Sequence, residues 1–381
     1  MGQRKSGHVT LLDIARASGF SVSTVSIVLS EAPLSQNVAA TTRSHIRTIA
    51  QKLGYHPDAY ARSLRRRSTE TIGVLAFDLS DPFCTPIMRG IQGSLHPAGY
   101  LPLIVDAQAQ RKLFDNSLHM ILERRADAVI VIASWVFEET NLLADVKKNN
   151  VPIAIIGRDL VTQGIDSILV DNEAGGAMAA RHLRELGHER IAVIQGPQEM
   201  VDTEPRWAGI RKVFAEGGLE LDAGLVFQLP GSADPASGFE GGLGIARRML
   251  AGGRSFTAVI AFDDLTALGV VRGMVEAGLR VPEDCSVMGF DDVLPAEVAT
   301  PAMTTIRQPL KEMGHEAAAR VLQAIKRGAG KADRARLHKP APELVVRKST
   351  ALPPSKAKAW YVPPELKETA RSKKHLPDRN V

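Results

Sequence analysis

Apolar positions along the chain follow two different periods. Between Thr10 and Leu53 they recur at helical spacing, and from Thr71 onward short β-branched runs alternate with longer helical segments. In the first stretch Thr10-Leu11-Leu12-Asp13 has the form of a capping box, Leu11, Ile14 and Ala15 share one face, and Gly19 ends a short helix. A second helix starts at Ser21 and carries Val25, Val28 and Leu29; a third runs from about Ala40 to Leu53 with Ile46, Ile49, Ala50 and Leu53 turned inward. Two short helices joined by a Gly-containing turn make a helix-turn-helix, whose second helix fits a DNA major groove. Its exposed face is Val22, Ser23, Ser26 and Ile27. The alternative is a plain three-helix packing unit.

Beyond this unit, Pro57 favours a break after the third helix. Asp58 is placed to cap a short helix with Ala61 and Leu64 at i and i+3, ahead of Arg65, Arg66 and Arg67. So short a basic helix is unstable alone. It reads either as a linker or as a segment that folds on DNA, with Leu64 wedged into a minor-groove step.

In the remainder the expected strands are Ile72–Phe77, Leu101–Asp106, Ala128–Ala133, Ile153–Ile156, Ser167–Val170, Arg190–Ile194, Thr257–Phe262 and Ser286–Gly289. The expected helices are Thr85–Leu95, Leu113–Arg124, Glu173–Leu186, Arg206–Glu216, Gly238–Leu250, Leu265–Glu276 and Leu310–Ile325. This alternation implies parallel sheets covered by helices, with ligands beyond the carboxyl ends of the strands. The length is more than one such sheet requires, so two similar lobes with a cleft between them are expected. The domain boundaries read as 1–57 (helix-turn-helix), 58–69 (hinge helix and linker), 70–350 (two-lobed domain) and 351–381 (a basic, Pro-containing, irregular extension).

Charge sharpens this division. The net +5 averages three unlike segments: residues 1–70 have ten Lys/Arg against four Asp/Glu, residues 71–330 have 24 against 33, and residues 331–381 have 13 against five. A basic head on an acidic body suits a polyanion partner at the N-terminus. Cys84 and Cys285 match no zinc, haem or redox spacing and read as reduced thiols. The polar start MGQRKSGHVT shows no export signal, and the apolar run from Ala126 to Phe137 is too short to span a bilayer, so a cytoplasmic protein without membrane contact is expected.

Candidate chemistry sits where strands end. Asp263 and Asp264 follow one strand, Asp291 and Asp292 another, Arg158 a third, and Arg206 with Trp207 opens a helix. Carboxylates and an Arg beside aromatic surface suit a hydroxyl-rich or acidic small ligand. Alternatively, Asp263 and Asp291 cap helices and Arg206 makes a structural salt bridge. For an enzyme, paired aspartates lack any His or Cys at ligand spacing, and Gly242-Leu243-Gly244 opens like a dinucleotide loop without a third Gly or a preceding strand. No catalytic residue, metal or cofactor is therefore assigned.

Over about residues 9–350 the sequence resembles the LacI/GalR family of bacterial transcriptional regulators. The resemblance rests on Val9-Thr10-Leu11-Leu12-Asp13-Ile14-Ala15 with Gly19 and Ser23-Thr24-Val25-Ser26; on Leu53-Gly54-Tyr55-His56-Pro57-Asp58 and Ala61-Arg62-Ser63-Leu64; and on Arg206-Trp207-Ala208-Gly209, Phe262-Asp263-Asp264-Leu265, Gly289-Phe290-Asp291-Asp292 and Thr304-Thr305-Ile306-Arg307-Gln308. It implies an α/β fold class: an all-α helix-turn-helix DNA-binding head and hinge helix joined to a two-lobed, periplasmic-binding-protein-like core of parallel sheets. It also implies a homodimer on a near-palindromic double-stranded operator and a small effector in the cleft. By resemblance Val22, Ser23 and Ile27 read bases, Ser21, Thr24 and Ser26 meet phosphates, Leu64 is the minor-groove wedge, and Thr10, Tyr55 and Ala61 complete the DNA-facing set. Arg206 and Asp264 become effector contacts, with Phe83, Trp135, Arg158 and Asp291 as further cleft candidates. Ile27 stands where the family usually has Arg and cannot make a bidentate guanine contact, so the operator is expected to differ from the common one. Asp58 stands where Asn is frequent and adds a negative charge near phosphates. The function expected is a repressor-type regulator controlled by a sugar or sugar derivative; the rival is a solute-binding protein with the same core and no DNA function.

Overall fold

The computed structural model describes residues 9–30, 33–55, 68–124, 126–134, 151–218, 220–231, 236–328 and 334–354. Asp58, Ala61, Leu64, Trp135 and the tail from residue 355 onward lie outside these residues. The chain forms two compact units, Met1–Thr69 and Glu70–Val381.

In the first unit helices α1 (Leu11–Ser18), α2 (Val22–Leu29) and α3 (Ala40–Lys52) follow one another, with a 3-10 turn at Pro33–Asn37. The capping box is present: the Asp13 amide donates to Thr10 Oγ1 (3.3 Å), and the Thr10 amide donates to the Asp13 carboxylate (2.9 Å). Gly19 leaves α1 at φ 76°, a conformation that favours glycine, and α1 and α2 are bent by 110° at the break between them. Ile14, Val25, Val28 and Ile46 are fully buried where the three helices meet. One expectation fails: Leu53 is 40% exposed, because α3 ends at Lys52 and Leu53 is its C-cap residue rather than part of the inward stripe.

In the second unit the first lobe has β1 (Thr71–Ala76), β2 (Leu101–Asp106), β3 (Ala128–Ile132), β4 (Ile153–Ile156) and β5 (Asp166–Ile168). With β11 (Leu337–His338) they make a six-stranded parallel sheet in the order β11-β5-β4-β3-β1-β2. Ile130 and Ile132 face one core, with α4 (Cys84–Leu95) and α11 (Leu310–Arg327); Val129 and Val131 face another, with α5 (Arg111–Glu123). Burial on both faces explains why β3 reads as an unbroken apolar run rather than an alternation.

The second lobe repeats the scheme with β6 (Ile191–Gln195), β7 (Val226–Gln228), β8 (Ala258–Ile260) and β9 (Ser286–Met288), parallel and in the order β7-β6-β8-β9. Helices α6 (Asn172–Glu185) and α7 (Thr203–Glu216) cover one face; α8 (Ala236–Ala251) and α9 (Asp264–Glu276) cover the other. Short elements that the pattern did not reveal are β7, α10 (Leu294–Val298), β11, and the antiparallel pair β10 (Thr305–Arg307) and β12 (Glu343–Val345). The chain passes between the lobes after β5, between β10 and α11, and between β11 and β12.

Each principal helix pair meets backbone to backbone through reciprocal glycines. A Cβ on Gly90 of α4 would strike the Lys311 carbonyl of α11, and one on Gly314 the Ile87 carbonyl; Gly176 and Gly209 relate α6 and α7 in the same way, and Gly242 and Gly269 relate α8 and α9. Gly242-Leu243-Gly244 is therefore helix-packing sequence inside α8, not a phosphate loop. Gly314→Ala is expected to lower the unfolding free energy by about 1–3 kcal/mol through overpacking. Gly244→Ala, which meets open space in a helix, is expected to raise it by about 0.5–1 kcal/mol. Urea denaturation of both variants checks the pair.

Candidate functional site

The carboxyl ends of both sheets open onto one cleft of about 1180 Å³, counted out to solvent. Phe77 and Asp78 follow β1, Ala133 and Ser134 follow β3, and Gly157 follows β4. From the second lobe come Pro197 after β6, Phe262 and Asp263 after β8, and Asp291 after β9. A backbone bond crosses between the lobes at this point, from the Val201 amide to the Ser134 carbonyl at 3.1 Å.

Arg206 forms part of the cleft wall and is itself buried. Its Nε donates to Asn172 Oδ1 (2.8 Å) and Nη1 to the Phe262 carbonyl (2.7 Å), while Nη2 lies 3.6 Å from Asp291 Oδ1. The guanidinium lies over the rings of Phe290 and Phe262, 3.7 and 4.6 Å from their centroids. Asn172 Nδ2 in turn donates to Asp202 Oδ1 (2.7 Å). Arg206, expected to open its helix, lies instead in the first turn of α7, which starts at Thr203, and is locked in place by its own lobe with one flank toward the cavity.

Asp264 does not reach the cleft. Its side chain is fully buried, where Oδ2 accepts the Val293 amide (2.9 Å) and Oδ1 accepts the Thr305 hydroxyl (2.6 Å). It ties the start of α9 to β10 and to the segment before α10. Its neighbour Asp263 lines the cleft instead and caps α9, accepting from the Thr266 amide at 2.7 Å. Phe83, Arg206 and Asp291 line the cavity; Arg158 is half-buried just past Gly157 and is not among the described lining residues, and burial lowers its pKa. Asp81, Asp202 and Gln308 also line it and escaped the sequence reading, although Asp81 follows an expected strand end.

Asp291 and Asp292 have φ of 114° and 59°, a left-handed geometry that costs non-glycine residues energy. Asp292 is held by ion pairs to Arg307 Nε (2.7 Å) and Arg347 Nη2 (2.6 Å), while Gln308 Nε2 donates to Asp291 Oδ1 (2.5 Å). Arg347 begins a strap that is stitched along the second lobe. The Val287 amide donates to the Ser349 carbonyl (2.8 Å), His188 Nε2 lies 2.9 Å from the Ala351 carbonyl, and His182 Nε2 lies 3.0 Å from the Thr350 hydroxyl. Burial lowers the pKa of both histidines.

In the first unit the start of α2 is the candidate DNA-facing surface. Ser21 caps α2, accepting from the Thr24 amide at 3.1 Å, and lies 2.8 Å from the Thr24 hydroxyl. Val22 and Ser23 are exposed, and Ser26 and Ile27 are half-buried. Thr10 is exposed at the α1 cap, and Tyr55 packs partly against the helical core.

A helix-turn-helix in one unit and a two-lobed α/β cleft in the other define a DNA-binding transcriptional regulator. Comparison with known proteins is specific. Residues 10–58 match the description "Bacterial regulatory proteins, lacI family", and residues 180–350 match "Periplasmic binding protein-like domain". The chain is 31% identical over 343 residues to the HTH-type transcriptional regulator DegA of Bacillus subtilis, covering 90% of this chain and 98% of DegA. It is 30% identical to the HTH-type transcriptional repressor PurR of Photobacterium profundum, covering 89% of this chain and 98% of PurR. The Lac repressor dimer bound to operator and an anti-inducer superposes with a TM-score of 0.77 at 28% identity, covering 91% of this chain and all of that one. This chain belongs to the LacI family of bacterial regulatory proteins.

The cleft carboxyls yield a pH prediction. Burial is the main cause that pushes Asp291 up to about 7; Asp263 and Asp202 add to it while Arg206 opposes it. A carboxyl whose pKa is higher folded than unfolded binds its proton more tightly when folded, so its stability contribution is lost as pH rises from about 4 to about 7. The two buried histidines act oppositely, so the comparison is made against Asp291→Asn. Between pH 8 and pH 5 the melting temperature of the native sequence is expected to move upward by about 2–4 °C relative to the variant, as read by calorimetry.

Proposed function

We propose that the protein is a homodimeric, effector-controlled repressor whose operator affinity responds to a sugar or sugar derivative bound between the lobes. The observation that carries this reading is the cleft itself, where carboxylates, a fixed guanidinium and phenylalanine rings converge on a cavity large enough for a small polyol. Relatives support it: one superposed structure is a CelR–cellobiose complex (TM-score 0.65, 28% identity), and another is a LacI-family regulator of Enterococcus faecium with bound ribose (TM-score 0.63, 27% identity).

On this reading Val22, Ser23 and Ile27 contact base edges and Ser21, Thr24 and Ser26 meet phosphates. Thr10 and Tyr55 face the duplex, Ala61 sits on the hinge helix and Leu64 wedges a minor-groove step. Ile27 favours a thymine methyl over guanine. Phe83, Trp135, Arg158, Arg206 and Asp291 are the proposed effector contacts; Asp264 acts beneath them as a brace. A half-site recovered by genome-wide binding-site mapping, placed in a palindrome, is expected to bind the full-length protein with steep salt dependence. Leu64→Ala is expected to weaken binding about tenfold, deletion of residues 1–64 to abolish it, and Arg206→Ala to abolish the sugar response. Unchanged DNA affinity without residues 1–64 refutes the regulator reading and leaves a solute-binding protein.

A further inference from the structure

The charge inventory of the cleft is one-sided. Asp78, Asp81, Asp202, Asp263 and Asp291 line it, and among the described lining residues Arg206 is the single cation. That cation is already engaged with Asn172, the Phe262 carbonyl and Asp291, and stacks on two rings. Asp202 is matched by hydrogen bonds from Asn172 and Ser134, and Asp263 by the helix start that it caps. The Asp81 carboxylate, from the first lobe, accepts only the Phe83 amide (3.2 Å) among the described residues and lines the same cleft as Asp291 and Asp263 of the second lobe; burial first, and then those two carboxylates, raise its proton affinity. Phe77, Phe83 and Phe262 border the same space.

We infer that the effector carries a protonated amine beside its hydroxyl groups, seated between Asp81 and the Asp263–Asp291 side of the cleft. The inference rests on the cleft being the effector site. A neutral sugar satisfies carboxylate oxygens but leaves their charges confined together, whereas an ammonium offsets that charge and finds ring faces beside it. A uronic acid adds a like charge where the one guanidinium among the described lining residues is already engaged.

Calorimetry on the full-length protein tests this with glucosamine and galactosamine against glucose, galactose, their N-acetyl amino sugars, glucuronate and putrescine. The free amino sugars are expected to bind at least about tenfold more tightly than their neutral counterparts. They are expected to lose about tenfold in Asp81→Asn, whose folding is verified by its melting curve, and to bind more tightly at pH 7 than at pH 5, where Asp81 and Asp291 take up protons in a cleft that Asp78, Asp202, Asp263 and Arg206 also line. Equal binding of glucose and glucosamine, preference for glucuronate, or no binding of any amine overturns the inference. Neutral-sugar binding that Arg206→Ala abolishes keeps the sugar reading while the charge inference falls. Putrescine binding without any sugar binding does the reverse.

Discussion

A guanidinium cannot shed its charge at any pH a protein meets, so burying one obliges its surroundings to satisfy it. The second lobe is arranged around that obligation at Arg206. Asn172 at the start of α6, the Phe262 carbonyl just past β8, the Asp291 carboxylate and the rings of Phe262 and Phe290 all answer to it. Room for the rings is made by absent side chains: a Cβ on Gly175 would strike Phe290, one on Gly196 would strike Phe262, and one on Gly176 would strike the Arg206 carbonyl itself. The cleft inherits its chemistry from this packing, since the same arginine that organises the interior presents its flank to the ligand.

Long elements and their order were legible from periodicity because the inner strands of both sheets are buried on both faces, which writes strands as apolar runs and their cover as amphipathic helices. The short strands β7, β10, β11 and β12 were not, because they are partly exposed and lack the buried apolar run that marks the equally short β8 and β9. The head was legible for a different reason: Thr10, Asp13, Gly19 and Ser21 are local capping signals, and local signals do not need the rest of the fold.

The candidate site was legible by residue type and less so by residue. Strand ends marked the right places, yet at Asp263-Asp264 the sequence offers two adjacent carboxylates and only the backbone decides which one faces outward. Asp263 leaves the strand toward the cleft and caps α9 on the way, while Asp264 turns under it to the Thr305 hydroxyl. Gly242 and Gly244 carry the same lesson. In sequence they suggest a ligand loop, whereas one holds two helices at backbone distance and the other faces open space.

The strap from Arg347 to Ala351 has an architectural consequence. Among the parallel strands of the second lobe β9 is outermost, and an outermost strand presents unpaired amides and carbonyls to any passing chain. Ser349 meets that strand twice, accepting the Val287 amide through its carbonyl and donating its hydroxyl to the Val287 carbonyl. The C-terminal strap therefore works as a built-in selvedge: it finishes the border of the sheet from within the same polypeptide, leaving a closed margin rather than a surface open to strand addition.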